Sequence, residues 1–342
     1  MKKKLTLAAF IALSVSIINA QDINFSQFYE LPLLRNPALA GLFKGDLRVS
    51  AGMRSQWASV TVPFQTQAIG AEFKFPVSEN SNNYWAFGLQ ITNDLAGDSK
   101  LGKTQVLPML AFHKSLSADK DTYLSLGVYG GPVEQRFDPT RLKFDDQFVN
   151  GAYSPTNPTR QSFSNTSITY WDASVGLLFS STLGNEIKYY CGVSYFHFNS
   201  PKVAFSSAND IRLNNKTVFS AGVSAPASDF DKVIFYADYF RQGGNAQTQA
   251  GIMFSHDLSQ DPDDDESLSL TGGMLLRWDD AVIPIIKLDY YKLAIGLSYD
   301  VNISKLRSAS QTRGAYELTL SYRSFLNIRN SSLNKLRCPK GL

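Results

Sequence analysis

Cysteine is nearly missing from this chain: Cys191 and Cys338 are the only two in 342 residues. They lie far apart and share no CxxC spacing, which argues against a zinc site and against a disulfide-stapled scaffold. Two unpaired thiols, or at most one bridge, remain. Histidine is as scarce, and His113, His197 and His256 stand in three separate regions, none at metal-ligand spacing to another. No G-x-S-x-G elbow and no H-E-x-x-H occurs. A Ser-His-Asp constellation assembled only in space stays open as the lesser reading. The expectation is a protein that is not an enzyme, with no catalytic residues, no cofactor and no metal site. Charged residues are held to 18%. Beyond the first twenty residues, no apolar run approaches the ~20 residues of a spanning helix. The mature chain is therefore soluble, or it crosses a membrane as strands.

The first residues address the compartment. Lys2, Lys3 and Lys4 form a positive start, Leu5 to Ile18 an apolar stretch, and Asn19-Ala20 offers a small residue before a cut that leaves Gln21 first. This is the pattern of a secretory signal peptide over 1–20. A single membrane anchor is the competing reading, and the stretch is short for one. Removing three lysines takes the formal charge of +3 to neutrality, so nothing speaks for nucleic acid as a partner.

What the chain has in quantity is alternation. Ile69, Ala71, Phe73 and Phe75 fall on one face of a strand, with Gly70, Glu72 and Lys74 on the other. Leu293, Ile295, Leu297 and Tyr299 oppose Lys292, Ala294, Gly296, Ser298 and Asp300 in the same way, and Tyr316, Leu318, Leu320 and Tyr322 repeat it. A period of two is what a strand with one apolar and one polar face requires. Several runs reach the ~9–11 residues of a tilted transmembrane strand, longer than the ~5–6 usual in globular sheets. Aromatic residues make up 13% of the chain and gather at run ends, as at Trp57, Trp85, Trp171, Trp278, Tyr290 and Tyr291, where interfacial girdles would lie.

Fourteen strands are expected, at 46–56, 65–75, 83–93, 103–115, 122–136, 170–181, 187–198, 216–225, 232–241, 246–256, 267–278, 281–288, 291–301 and 314–324. The fold class is all-β, a transmembrane antiparallel β-barrel. It divides into a signal peptide 1–20, an amino-terminal periplasmic or plug segment 21–45, a barrel 46–325 and a tail 326–342. An even count keeps both termini on the periplasmic side. With the first strand running outward, the long connectors 137–169, 199–215 and 302–313 fall outside, and the short turns 116–121, 182–186 and 226–231 inside. The connector 257–266 is the exception, long and on the inner side.

Glycines recur in mid-strand between apolar or small neighbours, among them Gly52, Gly127, Gly176 and Gly296. Either they face the lumen and admit close packing, or they are tolerated weak points. The acidic stretch Asp261 to Glu266 suits calcium by charge, but it lacks the spacing and glycine of an EF-hand loop, which favours a solvated turn. The loop from Asp138 to Ile168 carries Phe144, Phe148, Tyr153 and Phe163 among Asn, Thr, Ser and Pro; loops this long bind a partner, fold inward, or stay mobile.

Gln21-Asp22-Ile23-Asn24-Phe25-Ser26-Gln27-Phe28-Tyr29, followed by Leu34-Arg35-Asn36-Pro37-Ala38-Leu39-Ala40-Gly41, closely resembles the opening of the PorP/SprF family of Bacteroidetes outer-membrane proteins. Arg54-Ser55-Gln56-Trp57, Tyr299-Asp300-Val301-Asn302-Ile303-Ser304, Gly314-Ala315-Tyr316-Glu317-Leu318 and Arg337-Cys338-Pro339 extend the resemblance over the mature chain. It departs at the extreme end, Lys340-Gly341-Leu342. The resemblance implies a barrel accessory of type IX secretion in the outer membrane. Its partners would be the lipid bilayer, periplasmic subunits of the secretion machine, and the C-terminal domain of a secreted adhesin or other cargo, in protein secretion or gliding motility. A channel or small-molecule transporter is the alternative.

Beside it stands a physical reading of 21–45. Asn36-Pro37 and Gly41 are turn signals, and Phe25, Phe28 and Tyr29 are poorly placed in a solvated tail. The expectation is a plug in the barrel's inner end, or partner binding, with Phe25, Phe28, Tyr29, Asn36, Pro37 and Gly41 as its residues. A loose periplasmic leader is the other possibility.

Overall fold

The computed structural model describes residues 22–58, 62–78, 81–184, 186–206, 209–259, 268–305 and 307–326. The expected signal peptide, the acidic stretch 261–266 and Cys338 lie outside the described residues.

Alternation builds long strands here. They are β1 (Leu47–Gln56), β2 (Phe64–Pro76), β3 (Tyr84–Ala96), β4 (Leu101–Ser117) and β5 (Thr122–Arg136), then a small hairpin of β6 (Phe148–Val149) and β7 (Ala152–Tyr153). The wall resumes with β8 (Ser167–Leu183), β9 (Ile187–Phe196), β10 (Lys216–Pro226), β11 (Asp231–Gln242) and β12 (Asn245–Asp257). It ends with β13 (Leu268–Arg277), β14 (Ala281–Tyr290), β15 (Leu293–Asn302) and β16 (Arg313–Ser324). Leaving out the β6–β7 hairpin, fourteen strands close into one antiparallel barrel in which β16 pairs back onto β1, with Leu47 opposite Ser324 and Gln56 opposite Ala315. Closure leaves no free edge of N–H and C=O groups, which hydrocarbon could not satisfy.

Two strands extend by two residues or more beyond their expected bounds at both ends. β4 is Leu101–Ser117 and β8 is Ser167–Leu183, because pairing continues where apolar alternation has stopped, down to Arg136 opposite Ser167. β9 ends two residues early, at Phe196, and His197 turns out of it with φ of 58° while its ring holds Asp172. Proline interrupts the ladders locally. The β4–β5 register skips the stretch around Pro108 and Pro132, and β14–β15 skips Pro284, where no N–H can be donated.

The two faces are inverted relative to a water-soluble sheet. Outward positions carry exposed Ile69, Phe73, Leu126, Phe219, Ile252, Ile286 and Leu318, while inward neighbours such as Glu72, Ser125, Ser220 and Glu317 are buried. Among the described residues no helix is long and apolar enough to cross a membrane. An apolar belt on strands of this length is what a bilayer demands instead. Trp171, Trp278, Tyr290 and Tyr291 are exposed near the belt's edges. One rim bears the connections 137–166, 197–215 and 303–312, and the other bears turns such as 118–121 and 227–230.

Candidate functional site in the barrel lumen

A polar wall closed away from water must find partners, because an unpaired buried charge costs several kcal/mol. The partners here come from residues 22–46. This segment lies inside the ring of strands, with Phe25, Phe28, Leu31, Leu33, Ala38 and Leu39 buried. It forms two 3-10 turns, Pro32–Leu34 and Pro37–Leu39, each opened by a proline whose fixed φ suits a first turn and whose missing N–H costs nothing there.

The Phe25-Ser26-Gln27 stretch docks on a cluster of four charges. The backbone N–H groups of Ser26 and Gln27 donate to the two carboxylate oxygens of Glu317, at 2.7 and 2.8 Å. Ser26 Oγ donates to Asp300 at 2.7 Å and accepts from Arg54 at 2.8 Å and Arg277 at 3.0 Å. Arg54 binds Glu317 and, at 2.9 Å, Asp300, while Arg277 pairs with Asp300 from the other side. The Gln27 amide donates to Ser298 at 3.2 Å and accepts from Thr319 at 2.8 Å. Two arginines and two carboxylates neutralise one another around one serine. Motifs separated by hundreds of residues, on β1, β15 and β16, meet at a single point.

Farther along, Arg35 forks onto Asp238, with Nε at 2.7 Å, donates to the Tyr190 hydroxyl at 3.0 Å, and lies over the Phe28 ring at 4.3 Å. Asn36 caps the second turn by accepting from Ala38 N at 2.8 Å, and its amide donates to the Leu177 and Val193 carbonyls at 3.2 and 3.3 Å. Glycine makes this approach possible. A Cβ built on Gly127 would overlap the Pro37–Ala38 peptide, and one on Gly176 the Asn36 side chain.

Toward β1, Gly41 holds φ of +82° and donates its N–H to Glu72 at 2.8 Å. Glu72 also takes Arg48 Nε at 2.6 Å, and Lys74 donates to the Phe43 carbonyl at 2.6 Å. His113 is fully buried, stacked on Tyr84 at 4.1 Å. Its Nε2 donates to the Ala40 carbonyl at 2.7 Å and its Nδ1 accepts from Ser125 at 2.7 Å. His113 therefore acts as a bracket between wall and segment, while His256 lies on the outer face with Asp231 at 2.7 Å.

The two other deep charges of the segment, Glu30 and Asp22, are each matched by a lysine of the wall. Glu30 meets Lys287 at 2.7 Å, and Asp22 meets Lys103 at 2.7 Å. Burial alone would raise both carboxyls, but Lys287 and Arg323 hold Glu30 below its ordinary value, and Lys103 and Lys216 hold Asp22 well below.

All six residues singled out from the sequence face this interior or hold its turns. Phe25 packs with Leu31 and Ala68, Phe28 sits under Arg35, Tyr29 stacks on Tyr236 at 5.1 Å, Asn36 caps, Pro37 opens the second turn, and Gly41 makes the left-handed bend. The segment is not confined to the inner end of the barrel; Asp22 reaches the residues flanking the long loops. Sequence reading passed over Asp22, Glu30 and Arg35, and their wall partners Lys103, Lys287 and Asp238. The available signal was a charge at a polar-face position inside an otherwise apolar strand, as at Lys287 between Ile286 and Leu288. In the loop 137–166, Phe163 packs on Phe137 at 5.4 Å, and Phe137 packs on Phe205 of the next long loop at 5.0 Å, while Phe148 stays exposed.

The family model for the type IX secretion system membrane protein PorP/SprF matches residues 17–322. No curated protein matches the chain. Among solved structures, the toluene transporter TbuX of Ralstonia pickettii is similar with a TM-score of 0.50 at 12% identity, over 87% of this chain and 94% of that one. The monoaromatic hydrocarbon channel CymD has a TM-score of 0.46 at 10% identity, over 87% and 94% of the two chains. The translocator domain of the autotransporter NalP from Neisseria meningitidis has 0.40 at 10%, over 94% and 96%. At such identities the likeness is one of fold. The family match and the closed fourteen-strand barrel place the protein in the bacterial outer membrane.

Proposed function

The chain belongs to the PorP/SprF family of type IX secretion system membrane proteins, and from that premise we propose that it is a non-enzymatic accessory which works through its two rims. The cell-surface rim, with the loops 137–166, 197–215 and 303–312, would receive the C-terminal domain of a secreted adhesin or other cargo and help to export it or hold it at the surface. The periplasmic rim would meet subunits of the secretion machine. The outer-membrane lipid surrounds the belt between them.

The observation that carries this reading is the filled lumen. Residues 22–46 occupy it, and their Asp22, Glu30 and Arg35 pair with Lys103, Lys287 and Asp238 of the wall. Withdrawing the segment would return Phe25, Phe28, Leu31 and Leu33 to water at roughly 1.5–3 kcal/mol each. A conduit for polypeptide would have to meet that cost, and a docking surface would not. The alternative, a channel or small-molecule transporter, meets the same obstacle. One gap between segment and wall, lined by Phe25, Phe28, Leu34, Lys216 and Phe240, has a volume of about 30 Å³. That admits a water or two.

Gentle detergent purification of the tagged protein from its native outer membrane, with mass spectrometry of what accompanies it, tests the proposal. The expected result is recovery of secretion-machine subunits or of a large protein carrying a secreted C-terminal domain. Recovery of the barrel alone, with clear single-channel conductance in a planar bilayer, would overturn it in favour of the transporter.

A further inference from the structure

The amino-terminal segment is fixed at both ends of the barrel. At the periplasmic rim, Asp46 donates its N–H to the Ser324 carbonyl at 2.9 Å and accepts from Lys74 N at 2.9 Å, just before β1 begins. The opposite end is held differently. The Asp22 carboxylate meets Lys103 at 2.7 Å, His197 Nε2 at 3.4 Å and Lys216 at 3.8 Å, and its N–H donates to Gln242 at 3.0 Å. Asn24 follows, donating to Gln247 at 3.3 Å.

These partners share a location. Lys103 lies near the start of β4, Lys216 opens β10, Gln242 closes β11, Gln247 lies near the start of β12, and His197 follows the end of β9. All lie at the rim that carries the long loops, His197 and Lys216 flanking the loop 197–215 and the others beside the short turns 97–100 and 243–244, on the cell-surface side of an outer-membrane barrel. Below Asp22 the lumen is occupied by Phe25, Ser26, Gln27 and Phe28, all buried. A chain arriving at residue 22 from the periplasm would have to share that filled space.

We infer that residues 22–46 form a strap that reaches from the periplasmic rim through the lumen to the cell-surface mouth of the barrel, where Asp22 latches it. The strap's covalent tie is at the periplasmic rim, where Gly41 and Gly45 hold φ of +82° and +113° and give it a pivot. Its far end is held by the Asp22 ion pairs and hydrogen bonds and by Ile23 packed against Phe25, Leu31 and Ala68. Loss of the ionic latch therefore frees the residues at the cell-surface end first, while Ser26 and Gln27 stay bound to Glu317 below them. This inference needs only the barrel's orientation and stands apart from the secretion reading.

Cysteine labelling of whole cells tests it. In the full chain with Cys191→Ser and Cys338→Ser, the substitution Gln21→Cys is probed with a membrane-impermeant maleimide. Ser154→Cys in the loop 137–166 serves as the cell-surface control, and Asp119→Cys in the turn 118–121 as the periplasmic one. Gln21→Cys should label on intact cells as Ser154→Cys does, while Asp119→Cys labels only after permeabilisation. Adding Asp22→Asn with Lys103→Met should raise the rate at which Gln21→Cys labels on intact cells severalfold and leave that of Ser154→Cys unchanged. An epitope inserted directly before Asp22 and read by antibody on intact cells repeats the measurement if the cysteine variant fails to assemble. Reaction of residue 21, or of the epitope, only after permeabilisation would overturn the inference. A labelling rate that the latch variant leaves unchanged would overturn the role of Asp22.

Discussion

Replacing Glu317 by glutamine strikes the point where the segment is most firmly held. The wild-type carboxylate accepts the Ser26 and Gln27 N–H groups, at 2.7 and 2.8 Å, and pairs with Arg54, which stands directly opposite it on β1. A glutamine side chain has one acceptor oxygen and one NH2, so in either orientation one of the two backbone N–H groups faces another donor. The other N–H keeps a neutral acceptor in place of a charged one. Arg54 loses Glu317 but retains Asp300 at 2.9 Å. A hydrogen bond to a charged group contributes about 1.5–3 kcal/mol, and an orphaned buried donor costs about 1–3 kcal/mol, so the expected loss is about 3–5 kcal/mol. Denaturant unfolding of the barrel in lipid vesicles measures it. The decisive comparison is the same substitution in a chain lacking 22–42, where the two N–H groups are gone and only the pairing of β16 with β1 remains. There the cost should fall to about 1 kcal/mol or less, the range of a pair exposed to water. Equal costs in the two backgrounds would refute the reasoning and make Glu317 a residue of the wall alone.

Three further outcomes are expected. Gly127→Leu drives a side chain into the Pro37–Ala38 peptide. Overpacking of ~1–3 kcal/mol should displace the segment and open a conductance in planar bilayers that the wild type lacks, whereas a closed trace would count against the packing argument. Arg35→Met leaves Asp238 buried beside Tyr190 without its cation. Stability should fall by ~3–5 kcal/mol, and Asp238→Asn in the same chain should restore most of it. The latch should respond to alkali before mild acid. Asp22, held well below 3.8, contributes in full above that value and loses its share only as the pH falls through its lower folded value. Burial would lower His197, but its hydrogen bonds to Asp172 and Asp22 raise it above 6.5. It therefore contributes in full below 6.5 and loses its share as the pH rises through the folded value. Antibody binding to an epitope placed before Asp22, followed from pH 5 to 9, should change on the alkaline side and lose that dependence with His197→Gln.

The amino-acid sequence alone determined the wall. A two-residue period sustained over long runs leaves an apolar and a polar face, and Ile69, Phe73, Leu318 and Leu320 sit outward as their spacing requires. Strand number and rim asymmetry follow from where alternation stops, because turns and loops break the period locally. The limits of that signal are visible in β4 and β8, whose outer ends pair through the backbone without apolar alternation, and in His197, which a side-chain hydrogen bond turns out of its strand.

The interior followed a different rule. Aromatic residues and turn signals marked 21–45 as unlike a solvated tail, but nothing local says that Ser26 meets Arg54, Arg277, Asp300 and Glu317, or that Asp22 crosses to the far rim. Those contacts join residues up to 291 positions apart, and each exists only once the barrel has closed. Strand periodicity is a local property of the chain and can be read from it. The pairing of a buried charge depends on which strands stand opposite one another across the lumen, and that is fixed only by closure of the sheet.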